Sequence, residues 1–150
     1  MPKIDIAAIP ERRGCPYPKP FDEPCVDRVR QRLGDAGGLK DFGVNLMRLP
    51  PGNWSAQRHW HTHEDEFVYV LEGEVVLVTD AGETVLKPGM VAGFRAGEPN
   101  GHHLRNNSNA VARVLEVGTR TKEETARYPD IGMMYREGLG YSDPDGRPLT

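Results

Sequence analysis

The sequence predicts an all-β chain, a sandwich or barrel of short strands folded as one domain. Three observations carry that expectation. Seventeen glycines and thirteen prolines stand among 150 residues, a fifth of the chain, where about 12% is usual. Turn signals recur roughly every 8–12 residues across the middle of the chain, the spacing of sandwich and barrel strands. No stretch between those turns is long enough for the crossover helix that parallel strands require. The length supports a single core.

Residues 1–24 read as an irregular arm. Pro10, Pro16, Pro18, Pro20 and Pro24 fix φ and remove backbone donors, so neither helix nor central strand runs through them. One short helix is expected over residues 24–33, where Val26, Val29 and Leu33 form a stripe and Gly34 follows as a stop. Arm and helix together occupy residues 1–41. The barrel is expected over residues 42–118. GVNLMRL alternates and ends at Pro50-Pro51-Gly52, and SAQRHWH follows as a second strand. EFVYVLEG and GEVVLVTD make the third and fourth. Asp80-Ala81-Gly82 turns the chain into ETVL, and Lys87-Pro88-Gly89 turns it into MVAGF. His102 to Asn106 forms a further strand. Asn107-Ser108-Asn109 then turns into AVARVLEV.

Phe67 to Leu71 is apolar on both faces, whereas a barrel wall is apolar inside and polar outside. The outer face therefore needs cover. A second copy of the chain, making a homodimer, is the expected cover, with the arm as the alternative. Residues 119–150 read as a C-terminal extension packing on the barrel. A short helix is expected over residues 122–128, with Ile131, Met133, Met134, Tyr135 and Tyr141 packing inward. Residues 142–150 are expected to be exposed.

The net charge is -3 and the basic residues are scattered, so there is no field to hold nucleic acid or an anionic membrane. The polar N-terminal residues do not read as a signal peptide. No run approaches the roughly 18 apolar residues of a membrane span. The cytoplasm is the expected compartment, and Cys15 and Cys25 are expected as reduced thiols, since their spacing is not that of a zinc site.

All five histidines fall in two clusters, His59, His61 and His63, then His102 and His103. On a strand, residues i and i+2 share a face. His59 and His61 therefore point the same way, and Glu66 at the start of the next strand can return beside them. Two imidazoles and a carboxylate make a donor set for a divalent transition ion. A further ligand has to come from His102 or His103. His63 reads as a rim residue, and Glu64 and Asp65 as solvated loop acids. Gln57 shares the face of His59 and His61 and is expected to contact substrate. Trp54 and Trp60 are expected to pack, and Arg58, Arg95 and Arg105 to lie at the surface.

RHWHTHEDEFVYVLEGE resembles the first motif of the cupins. His59-Trp60-His61 is followed by Thr62 to Asp65, then Glu66, then Phe67 to Glu72, then Gly73, without a gap. The leading Gly52 lies one residue farther upstream than in the family. The second motif is looser. Gly89 opens it, Arg95 stands at the family's proline position, and Gly97 follows. Four residues rather than two then precede His102, with Asn106 closing the motif. The resemblance covers residues 42–118. It implies a cupin double-stranded β-helix, a jelly-roll barrel with the irregular arm, one short helix and a C-terminal tail around it. It implies one divalent metal, iron, manganese, zinc or nickel, on His59, His61, Glu66 and His102, with Asn106 favouring His102 over His103. His103 should then point outward. The chain is similar to small stand-alone bacterial cupins with a Tyr-Pro-rich arm, loosely labelled sugar-phosphate isomerases.

A metal in such a site polarises a carbonyl, acidifies water or orients a chelating substrate. The favoured reading is isomerase, epimerase or lyase chemistry on a small hydroxy-carbonyl compound such as a sugar or sugar phosphate. Iron-dependent dioxygenase chemistry is one alternative, and a non-catalytic ligand-binding or sensor module is the other. GxxxxGK[ST], GxGxxG and GxSxG are absent, so nucleotide chemistry and serine-type hydrolysis are disfavoured.

Overall fold

The computed structural model describes residues 2–149. Met1 and Thr150, included in the expected arm and tail, lie outside the described residues. The described residues form thirteen short strands, one four-residue α-helix and two 3₁₀ turns, Ile6–Ala8 and Glu23–Cys25. In order the strands and the α-helix are β1 (Arg12–Arg13), β2 (Val29–Arg32), α1 (Leu33–Ala36), β3 (Phe42–Leu49), β4 (Trp60–His61), β5 (Glu66–Glu72) and β6 (Val75–Thr79). Then come β7 (Gly82–Leu86), β8 (Val91–Phe94), β9 (His103–Arg105), β10 (Ala112–Thr119), β11 (Thr125–Tyr128), β12 (Met133–Arg136) and β13 (Gly140–Ser142).

The strands form one six-stranded sheet, β1-β2-β3-β10-β5-β8, facing two smaller ones, β13-β12-β11-β4 and β7-β6-β9. Pairing between the strands is antiparallel throughout. The main core fills the space between the sheets with Met47, Leu49, Val68, Val70, Val75, Leu86, Leu104, Ala112 and Val114. β5 supplies it by strict alternation. Val68 and Val70 are buried while Phe67, Tyr69 and Leu71 remain about two-fifths exposed on the outer face. Gly73, which closes the first motif, has φ +73° and lies so close to β10 that a Cβ would meet Ala112 Cα and Val111 O at 2.9 Å. Only glycine satisfies both demands there.

A second core lies beneath the arm and the C-terminal extension. Tyr17 and Cys25 of the arm pack with Ala56, Ala126, Tyr128 and Met133, joined by Ile131, Tyr135 and Tyr141. The extension packs inward through Met133, Met134, Tyr135 and Tyr141. Cys15 and Cys25 are free thiols. The arm folds onto this side, so the outer face of β5 is left open by it.

Four expectations are corrected. The helix over residues 24–33 is instead a 3₁₀ turn, Glu23–Cys25, followed by β2, with α1 confined to Leu33–Ala36. Val29 pairs with Arg48 and Gln31 with Leu46. Val29 and Gln31 are buried while Val26 is 55% exposed. The edge of β3 offers unpaired backbone groups, and that pairing outweighs a weak helical stripe. The helix over residues 122–128 is strand β11, which pairs with both β4 and β12. Its buried residues, Ala126 and Tyr128, are two apart. SAQRHWH is not one strand: residues 55–58 bend, and only Trp60 and His61 pair in β4. The tail is only partly exposed, since Ser142 is buried and Leu149 packs against the second core.

Met47 is fully buried and Leu139 is 77% exposed. Met47→Ala is expected to destabilise the fold by about 2–5 kcal/mol. Leu139→Ala should shift it by less than about 0.5 kcal/mol. Urea unfolding of the two variants measures the difference.

Candidate metal centre

His59 and His102 face each other across an isolated antiparallel bridge. The His59 N–H donates to His102 O at 3.1 Å, and the His102 N–H to His59 O at 2.8 Å. His61, two residues on in β4, shares the face of His59. Glu66 is the first residue of β5, fixed between Gly118 of β10 and Phe94 of β8. The ring centroids of His59 lie 4.8 Å from those of both His61 and His102. Glu66 Oε1 stands 3.4 Å from His59 Nε2 and against His61 Nε2, and its Oε2 stands 2.9 Å from His102 Nε2. The four predicted ligands therefore converge. The ligand atoms of His59, His61 and Glu66 all lie within 4.8 Å of one another.

The outer nitrogens explain the orientation. His59 Nδ1–H donates to the Gln57 carbonyl at 2.7 Å. His61 Nδ1–H donates to Glu124 Oε2 at 2.7 Å. Each proton held outward leaves the Nε2 of a neutral ring as a lone pair pointing at Glu66. His102 is held instead by its ring, stacked on Phe94 at 3.6 Å and 3°.

Acceptors facing a carboxylate need a cation between them, and His61 Nε2 is buried without an ordinary hydrogen-bond partner. The donor set is the nitrogen and oxygen mixture that suits a divalent transition ion. The residues fit a metal.

The charges agree. Burial alone would raise the Glu66 pKa, but the imidazoles of His102, His59 and His61 around its carboxylate hold it well below the usual carboxylate range. Burial lowers His59. Burial also opposes charge on His61, yet Glu124 and Glu66 together raise it to about 10. Two carboxylates flanking one imidazole demand positive charge, from a proton or a metal.

Glu124 is the residue sequence reasoning missed. It is 5% exposed and also accepts the His63 N–H at 3.0 Å. In sequence it ends a Lys-Glu-Glu run that looks solvated. Only the pairing of β11 with β4 carries it beneath His61. Tyr128, on the same strand, sets its ring 5.4 Å from that of His59.

Other expectations divide. His63 is exposed and reaches only Thr62 Oγ1, at 2.8 Å, as a rim residue should. Asp65 accepts the Ala96 N–H at 2.7 Å and is exposed. Glu64 is not a free loop acid. It lines the metal cavity, accepts the Thr121 N–H at 2.8 Å, and has its pKa raised by burial. The Gln57 side chain is not part of the cavity lining. The bend at residues 55–58 breaks the two-residue alternation, and its Nε2 donates to Phe21 O at 2.9 Å, pinning the arm.

His103 does point away from Glu66, but it is not outward in the sense of exposed. It is 2% exposed, donates through Nδ1 to Ala56 O at 2.7 Å, and packs 4.9 Å from the Trp54 ring. Trp54 thus packs as expected, beneath Arg105 at 4.2 Å. Arg58 forms ion pairs with Asp80 and Asp130. Asn106 is fully buried, donating to Leu49 O at 2.7 Å and Ala110 O at 2.8 Å. It staples the turn after β9 and so fixes the strand that begins beside His102.

The cluster opens into a cavity of about 700 Å³, room for a small organic molecule.

The Cupin domain family model matches residues 45–118. A sugar phosphate isomerase from a cupin superfamily of Silicibacter pomeroyi is 49% identical, with 99% of this chain and 97% of that one aligned at a TM-score of 0.94. The chain is a cupin. An Acidithiobacillus ferrooxidans protein provisionally named a sugar phosphate isomerase is 29% identical to this cupin, over 83% of it and 81% of its own length, at a TM-score of 0.74. The polyketide cyclase RemF of Streptomyces resistomycificus shares the cupin's fold, at 24% identity, 79% coverage of each chain and a TM-score of 0.60. No curated protein sequence matches at a significant level. No helix among the described residues is long and apolar enough to cross a membrane.

His59→Ala, His61→Ala and His102→Ala are each expected to lose most bound metal, while His63→Ala retains it. Glu124→Gln should weaken metal affinity by about 10–100-fold, because the partner that orients His61 loses its charge. Elemental analysis of the purified variants, with competitive chelation for Glu124→Gln, checks both.

Proposed function

We propose that this cupin binds one divalent transition metal on His59, His61, Glu66 and His102 and catalyses isomerisation, epimerisation or lyase chemistry on a small hydroxy-carbonyl compound such as a sugar or sugar phosphate. The observation that carries the proposal is the convergence of three imidazoles and Glu66 at the base of an open cavity. The full-length likeness to the Silicibacter pomeroyi protein directs it toward sugar phosphates.

The metal would supply a Lewis acid that polarises the substrate carbonyl and stabilises developing enediolate charge. Glu124 and the Gln57 carbonyl hold two imidazoles in the tautomer that ligation needs. Glu64 is the proton carrier. It lines the cavity beside His61, and burial raises its pKa above the ordinary carboxylate value, the direction that suits a general acid–base group. Tyr128 and Phe94 wall the cluster and limit water around it.

The test incubates metal-replete protein with a panel of aldose and ketose phosphates in D₂O. Interconversion with deuterium incorporated next to the carbonyl is expected. Glu64→Gln should slow it by about 10²–10⁴-fold while keeping the metal. No exchange across the panel by metal-replete protein overturns the isomerase reading, and oxygen uptake in its place favours the dioxygenase alternative.

We further propose that the outer face of β5 and β8 joins two copies of the chain. Phe67, Tyr69, Leu71 and Val91 are exposed there side by side, and an apolar strip of that kind favours association. Light scattering at micromolar concentration is expected to give twice the chain mass, and Tyr69→Glu to return it to the monomer. A monomeric wild-type protein overturns the proposal.

A further inference from the structure

Arg28 is 5% exposed and lines the same cavity as the metal cluster. It sits just before β2, where the arm meets the barrel. A guanidinium has five N–H donors and no acceptor. Two of these are used, one on Gly14 O at 2.8 Å and one on Ser55 O. The Nε–H is buried without a partner. Among the described residues no carboxylate pairs with Arg28. The nearby Glu116 is taken by Arg30, which grips both its oxygens, at 2.7 and 2.9 Å. A buried guanidinium and a half-buried one thus share one carboxylate.

An uncompensated buried charge is strongly unfavourable, and arginine does not shed its proton to escape it. An anion in the cavity would supply the missing counter-charge. The Tyr17 ring stands beside the pair. It is 8% exposed, and its centroid lies 5.4 Å from that of Tyr128, which in turn lies 5.4 Å from His59. The cavity wall therefore runs from the metal ligands through two phenols to the arginines. Arg30 is near enough to Glu66 for their charges to interact.

We propose that Arg28, with Arg30 and the Tyr17 hydroxyl, is an anion subsite that holds a terminal phosphate monoester or carboxylate of the substrate while its hydroxy-carbonyl end meets the metal. The proposal rests on the reading of the cavity as a substrate site. It also assigns the N-terminal arm a role, since Tyr17 belongs to the arm and Arg28 binds the arm's Gly14 carbonyl.

The experiment titrates the full chain, with metal content measured in parallel, with inorganic phosphate and separately with malonate at constant ionic strength. The arginine Nε–H resonances are followed by ¹⁵N NMR. A saturable shift of the Arg28 resonance, identified by its loss in Arg28→Lys, is expected. The tighter of the two anions identifies phosphate or carboxylate as the native group. Arg28→Lys should weaken binding by about tenfold or more, since charge-assisted donors in a fixed fork are lost. Tyr17→Phe keeps the ring and should weaken it by roughly threefold, which covers the case of a misfolded Arg28→Lys. No saturable shift in the wild-type protein overturns the subsite, as does unchanged affinity in folded Arg28→Lys. Binding seen only in Cys15→Ser also overturns it, and makes the Cys15 thiolate in the same wall the counter-charge. A shift in protein without metal leaves the subsite standing and removes the metal reading. Metal without a shift does the reverse.

Discussion

Acceptors that face one another across a small buried space set the terms for this molecule. His59 and His61 commit their Nδ1 protons outward, to a backbone carbonyl and to Glu124. Their inner nitrogens and Glu66 then meet as lone pair against lone pair. That arrangement is unfavourable unless positive charge sits among them. The barrel sustains it because backbone pairing holds these residues in place. The bridge between His59 and His102 joins the two histidine clusters, and the register of β5 between β10 and β8 holds Glu66 beneath them.

The arm and the C-terminal extension have the same purpose from the other side. Neither is decoration on a finished barrel. β11 delivers Glu124 and Tyr128 to the back of the histidines, while the arm contributes Tyr17 and, through Gly14, a hold on Arg28. Gln57 ties the arm to the histidines, with its side chain on Phe21 and its carbonyl on His59. The second core packs these pieces tightly, so the cavity is shaped by segments remote from the two motifs.

Strand-rich architecture was legible because turns are local. Gly73, Asp80-Ala81-Gly82 and Lys87-Pro88-Gly89 mark chain reversals by their own φ requirements. The HxH-to-Glu spacing was legible for a related reason: His59, His61 and Glu66 lie within eight consecutive residues. The helices expected over residues 24–33 and 122–128 failed because both segments gain more from pairing with a sheet edge than from a weak helical stripe. Gln57 failed because alternation holds only within a strand, and residues 55–58 bend.

The residue order alone therefore determined the barrel class and set His59, His61 and Glu66 within reach of one another. Tertiary structure alone decided what stands behind those ligands. Glu124 reaches His61 across 63 residues of sequence, and Arg30 reaches Glu116 across 86. Arg28 is left without an acid only because of where its neighbours finally pack. Local chemistry is written in neighbouring residues, whereas a partner brought by a distant strand is settled by the energy of the whole packed chain.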